Sequence, residues 1–173
     1  GKRITYEELN QAILDSDALF AGACAKNNVI LSYSFLNRTL AEMNITPEER
    51  KKRDEAIARF EKIASIPVPE GSKNEYSRYI DPTRIIIQYP IPELIMNGKD
   101  FGYVDSDFDI DGIARRIRLI RVFNDRIYFH MALIMLMDIL SVNKSDVVVV
   151  HDQYLLLKNA TDPLTLHKKD FKI

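Results

Sequence analysis

Helical and strand periods alternate along this chain, with one long polar interval between them. Thr5-Tyr-Glu-Glu8 has the spacing of a capping box and opens a helix with Leu9, Ile13 and Phe20 on one side, running to about residue 26. Asp15-Ser16-Asp17 is a candidate break within it. Residues 29–35 are rich in β-branched and aromatic side chains, which predicts a strand and completes a first α/β unit. Residues 38–80 read as an excursion from the core. Thr46-Pro-Glu-Glu49 is a second capping box with proline at the first helical position. The helix it opens carries only a thin apolar stripe of Ile57, Phe60 and Ala64, so a solvated surface helix is expected, followed by a loop at Pro67-Val-Pro-Glu-Gly71.

From residue 85 the apolar pattern tightens. Residues 85–89 read as a buried strand stopped by Pro90, and 92–97 as a short helix closed by Gly98. Strands follow at 102–104 and 117–123. Asn124-Asp125 is a two-residue turn signal that makes 121–129 a hairpin. An apolar helix occupies about 130–140, and 147–157 fold as a further hairpin around His151-Asp-Gln153. Alternating helices and strands predict an α/β fold, a mixed sheet with packed helices, as a single domain over 1–173 with 38–80 as a surface insertion. Phe20, Ile30, Ile86, Leu119, Ile127, Leu133 and Leu136 are the expected core.

Composition narrows the function classes. At 173 residues and 46% hydrophobic content the chain can bury one substantial core. Its 24 basic and 25 acidic residues nearly cancel, which disfavours a nucleic-acid partner. Even the basic run Arg50-Lys-Lys-Arg53 sits among glutamates and aspartates and reads as helical ion pairs. A lone Cys24 on an Ala-rich helix reads as a small buried apolar residue. The longest apolar run, 131–137, is interrupted by Asp138 and is too short to span a membrane, and the first residues lack the apolar stretch of a signal peptide.

The segment 101–119 concentrates the charged chemistry. Asp105, Asp107, Asp109 and Asp111 give way after Gly112 to Arg115, Arg116 and Arg118. Asp107, Asp109, Asp111 and Gly112 match the first, third, fifth and sixth positions of an EF-hand loop, but the twelfth is Arg118, a cation where calcium needs a bidentate Glu. Flanking helices are not predicted either. Two readings stand: calcium in a different geometry, or, favoured, a structural turn set by Asp109, Asp111 and Gly112 onto which Arg115 or Arg116 folds back. No phosphate loop, nucleophile elbow or zinc-protease motif occurs, so neither enzyme activity nor a cofactor or metal site is expected. His130, His151 and His167 could pair with Asp125, Asp152 or Asp170, although capping or surface roles are commoner at element ends.

Pro92-Glu-Leu94, Gly102-Tyr-Val104, Asp109-Ile-Asp-Gly112, Arg115, Arg116, Leu119 and Tyr128 before Met131-Ala-Leu133 follow one another over roughly 85–140. In order and spacing this resembles the CHASE type-2 domain, an extracytoplasmic sensory module of bacterial cyclases and kinases. Asp105 stands where the family often has Asn, and Phe129-His130 where it has Pro-Ser. The resemblance implies a signal-input domain outside the bacterial cell membrane, with a cytoplasmic nucleotide cyclase, histidine kinase or Ser/Thr kinase as output. It further implies an unidentified small-molecule or protein signal, self-association in the full-length receptor, and membrane segments lying outside this chain. A calcium-binding or protein-interaction module without small-molecule sensing is the alternative.

Overall fold

A computed structural model of the chain describes residues 5–36, 46–81, 86–107, 110–151 and 153–173. The first helix, α1 (Tyr6–Asn27), starts with the expected capping box: the Glu8 N–H donates to Thr5 Oγ1 at 3.2 Å, and the Thr5 N–H donates to Glu8 Oε2 at 2.9 Å. It runs unbroken through 15–17, because Asp and Ser cost only a few tenths of a kcal/mol each in a helix, roughly half the penalty of Gly. Asn28 ends it in the left-handed region. Phe20 is 53% exposed, against the core expectation; the small residues Ala21 and Cys24, one turn apart, are buried instead.

Strand β1 (Ile30–Leu36) leads through the polar interval to α2 (Pro47–Ala64), which again has its capping box. This helix departs from the surface reading. Ala56, Phe60 and Ala64 are fully buried, and four-residue spacing puts them on one face. A thin stripe suffices when small residues flank one large ring, since the backbone can then approach closely. The segment continues as β2 (Ser65–Pro67), α3 (Lys73–Tyr76) and a 3₁₀ turn (Ser77–Tyr79), so part of the expected excursion enters a sheet. Then come β3 (Ile86–Gln88), α4 (Pro92–Asn97), β4 (Asp100–Tyr103), β5 (Ile120–Phe123), β6 (Arg126–Phe129) and α5 (Met131–Ile139). A 3₁₀ turn (Lys144–Asp146), β7 (Val147–Val150), β8 (Tyr154–Thr161) and β9 (Lys168–Lys172) complete the described chain.

The α/β class holds, and the described strands divide into three three-stranded sheets. In the first, β1 is central, antiparallel to β3 and parallel to β4. In the second, β6 lies between β2 and β5, all antiparallel. The third is an antiparallel meander, β7–β8–β9. A single bridge between Tyr103 and His130 links the first sheet to the second. The β5–β6 turn has Asn124 and Asp125 at φ 49° and 57°, the two positive angles that a type I′ hairpin requires.

Two clusters fill the interior. An aromatic one gathers Tyr33, Phe35, Phe60, Phe101, Tyr103 and Tyr128, mostly in edge-to-face contacts. An aliphatic one lies between the second sheet, α5 and the meander. Strands β5 and β6 divide them: Ile120, Val122, Ile127 and Phe129 point to the aliphatic side, Arg121 and Tyr128 to the aromatic side. Of the expected core, Ile127 and Leu133 are buried, Ile30, Leu119 and Leu136 pack half-buried against the aliphatic cluster, and Ile86 is half-buried. The strand expected at 117–123 begins only at Ile120, and Ile117 is exposed, because among the described residues 113–118 has no ladder partner beyond a bridge between Asp107 and Arg116.

Candidate functional site

The acidic segment leaves the aromatic core at β4, which β1 holds in parallel register, Ser32 opposite Gly102. A Cβ on Gly102 would stand 2.5 Å from Met131 Cα, so the start of α5 lies directly on the strand. Beyond β4, Asp105 turns inward, and its carboxylate accepts the Phe35 N–H at 2.7 Å. Asp107 is held by Arg118, Nε to Oδ2 at 2.5 Å, and its other oxygen is 3.7 Å from Arg121 Nη2. The residue at the twelfth EF-hand position therefore occupies the carboxylate at the first. Asp111 receives both Nη atoms of Arg115, at 2.9 and 2.6 Å, and the Ile113 N–H at 3.1 Å. These bonds, Arg115 first, hold the Asp111 carboxyl below the usual carboxylate range. Gly112 has φ +77°, a conformation unfavourable to a side chain.

Of the two arginines expected to fold back, Arg115 does, while Arg116 bridges Asp107 through its backbone. Asp109 lies outside the described residues. Missed by sequence reasoning were Arg118 as a partner and, above all, Arg121. The Arg121 side chain is 1% exposed, bonds Asp81 at 2.6 Å, and sets its guanidinium carbon 5.3 Å from the Phe35 ring and 5.5 Å from the Tyr103 ring. Tyr103 donates its hydroxyl to the Arg118 carbonyl at 2.6 Å, and burial pushes that phenol well above its ordinary pKa. Asp105 and Asp107 thus tie the turn to β1 and β5, and Asp111 braces its tip.

Of the Asp partners weighed above, Asp125 and Asp170 are engaged by groups other than histidine. His151 Nε2 lies 3.3 Å from Glu75, its ring against those of Tyr76 and Tyr79, while Asp170 accepts the Asn159 N–H and Asp125 takes Lys73. Asp152 is outside the described residues. His130 caps α5, its Nδ1 accepting the Ala132 N–H at 3.1 Å, and sits edge-on to Tyr103. Burial lowers its pKa, with Asp105 opposing. A lowered folded-state value means the histidine's contribution is complete above the unfolded pKa of about 6.5 and is lost as pH falls, when protonation also removes the cap acceptor. Thermal stability should decline between about pH 7 and pH 5, and His130→Asn, which keeps a capping acceptor but does not titrate, should flatten that decline. An unchanged slope in the variant would assign the loss to other groups.

Two clefts open on the described surface. One, about 320 Å³, borders the exit of the turn and is lined by Arg118, Leu119, Tyr79 and Tyr154. The other, about 490 Å³, lies between α2 and the β3–α4 connection, with Ala56, Ile87 and Ile95 beneath Lys52 and Arg53. Among the described residues no three His, Cys, Asp or Glu side chains gather as a metal site, and no helix is long and apolar enough to cross a membrane. No protein-family model, curated protein or solved structure matches the chain.

Proposed function

We propose that this chain is the extracytoplasmic signal-input domain of a bacterial transmembrane receptor of the CHASE type-2 kind, its cyclase or kinase output lying outside residues 1–173. One observation carries the reading. The residues of the resemblance meet in a single unit, Gly102 under Met131, Asp111 on Arg115, and the β5–β6 hairpin leading straight into α5. A sensor needs an element whose position a signal can bias. The entry of the acidic turn is tied to β1 through Asp105 and to buried Arg121 of β5 through Asp107, so its position is coupled to two sheets.

The full-length gene product tests the assignment. Membrane-spanning segments together with a cyclase or kinase domain are expected beyond this chain; their absence overturns it. Incubated with ATP or GTP and magnesium, the isolated domain should form no cyclic nucleotide or diphosphate above buffer. Turnover surviving repurification would replace the sensory reading with an enzymatic one.

The calcium alternative is weakened because Asp107 and Asp111 already hold guanidinium groups. Calcium at a hundred times its dissociation constant would stabilise the fold by about 2.7 kcal/mol and raise the melting temperature by several degrees. Millimolar calcium and excess EDTA are expected to give superimposable melting curves. A reversible calcium-dependent rise would restore those aspartates as ligands.

A further inference from the structure

The β8–β9 hairpin ends in a tip that exposes apolar side chains from a fixed frame. In Asp162-Pro-Leu-Thr-Leu-His167, Leu164 is 93% exposed and Leu166 is 76% exposed. Asp162 organises the loop. Its side chain accepts the Leu164 and Thr165 N–H groups at 2.9 and 3.3 Å and binds Lys169 Nζ at 2.5 Å. Its carbonyl accepts the Leu166 N–H at 2.8 Å, and its own N–H donates to His167 O at 2.9 Å. Leu166 is held at φ 58°, a strained angle for a branched side chain with almost nothing packed against it. A backbone that keeps a leucine strained and in water has no packing reason to do so. The Thr161 N–H donates to Leu140 O at 2.7 Å, which sets the end of α5, with Ile139 63% exposed, beside the strand residues that flank the tip.

Charge surrounds these apolar groups. Lys168 and Lys169 follow the tip directly and, by strand alternation, point to opposite faces of the hairpin, with Lys158 and Lys172 further along the same two strands. The two acidic groups of this stretch are engaged: Asp162 by the tip and Lys169, Asp170 by the Asn159 N–H. From this arrangement we infer that the β8–β9 tip is a docking site for an anionic lipid surface, with Leu164 and Leu166 entering the acyl boundary and Lys168 meeting the headgroups, while Lys169 neutralises Asp162. Shape selects this occupant. Small-molecule sites are concave, and a stable protein interface needs about 800 Å² from each partner, whereas this tip is convex and narrow. A lipid surface requires neither a pocket nor a matched shape, only apolar groups ahead of cations at the right depth. The inference stands apart from the sensory reading, since a domain of any function could carry it.

Sedimentation of the 173-residue chain with vesicles tests the assignment, using phosphatidylcholine alone or with roughly a third phosphatidylglycerol at about 0.15 M salt. Binding is expected to the anionic vesicles and to weaken with salt. Leu164→Ser/Leu166→Gly should reduce the partition at least about tenfold, while Lys168→Gln should weaken binding to anionic vesicles only. Glycine suits the angle at 166, so the double variant should keep its urea midpoint. The chain has no tryptophan, so Leu164→Trp supplies a unique probe whose emission should shift to the blue on anionic vesicles. No binding, equal binding by the double variant, or unshifted emission in the bound state would overturn the inference. So would a wild-type dimer that the double variant dissociates, which would make the tip a contact between copies.

Discussion

Gly102→Ala is expected to destabilise the fold by about 3 kcal/mol, out of proportion to a single added methyl group. The new Cβ would lie 2.5 Å from Met131 Cα and 2.8 Å from its backbone nitrogen, so relief requires the main chain to move. Neither side is free to yield. Strand β4 is registered on β1 and its exit is pinned by the Val104 N–H to Tyr33 O bond, while the first turn of α5 is fixed by the His130 cap and the Tyr103–His130 bridge. Gly22 provides the control. It sits inside α1 with nothing within 4 Å of its added Cβ, so Gly22→Ala should be neutral or stabilising by up to about 1 kcal/mol. Urea midpoints of the two variants should move in opposite directions. A Gly102→Ala protein as stable as wild type would mean that β4 and α5 are not in close contact, and would remove the main support for reading residues 102–131 as one unit.

Local signals proved legible where the chain itself supplies both partners. Both capping boxes, the type I′ turn at Asn124-Asp125 and the α5 boundary follow from residues no more than four apart, and each occurs. The Asp111–Arg115 fork is local in the same sense, because abrupt charge reversal over four residues needs no knowledge of the fold. Long-range partners left no such trace. The thin stripe of α2 reads as a surface helix because three apolar positions cannot reveal that they meet an aromatic cluster from β1 and β4. Phe20 reads as core because helical periodicity marks an apolar face without saying whether anything covers it. Strand β9 escaped notice because Lys168, Lys169, Asp170 and Lys172 outnumber its one aromatic residue; its pairing comes from the β8 backbone. Arg121 is the sharpest instance. In Ile-Arg-Val-Phe, alternation assigns the arginine to a solvent face, but β5 is covered on both sides. Its partner Asp81 lies forty residues away, beyond any sequence spacing rule.

Replacing Arg121 by methionine should cost about 3 kcal/mol, although methionine fits the apolar surroundings better than a guanidinium does. The loss comes from what remains. Asp81, 11% exposed, would keep a buried carboxylate without the guanidinium 2.6 Å away, and Asp107 would lose its inward contact. Arginine is itself costly there, since Nε and Nη2 are buried without a hydrogen-bond acceptor among the described residues. The faces of Phe35 and Tyr103 offset part of that cost. Two opposed costs make a double-mutant cycle informative. Arg121→Met and Asp81→Leu should each destabilise, and the double variant should recover much of the loss, because an apolar pair leaves no buried charge. The turn should respond too. With Arg121 gone, the Asp107 carboxylate keeps exposed Arg118 but loses its buried partner, so amide exchange across 110–119 should accelerate in Arg121→Met and stay fast in the double variant. If both single changes leave the urea midpoint and exchange unaltered, the buried arginine does not couple the acidic turn to the core. The turn would then meet the sheets through Asp105 on the Phe35 N–H and the Tyr103 hydroxyl on the Arg118 carbonyl, and not through the buried arginine.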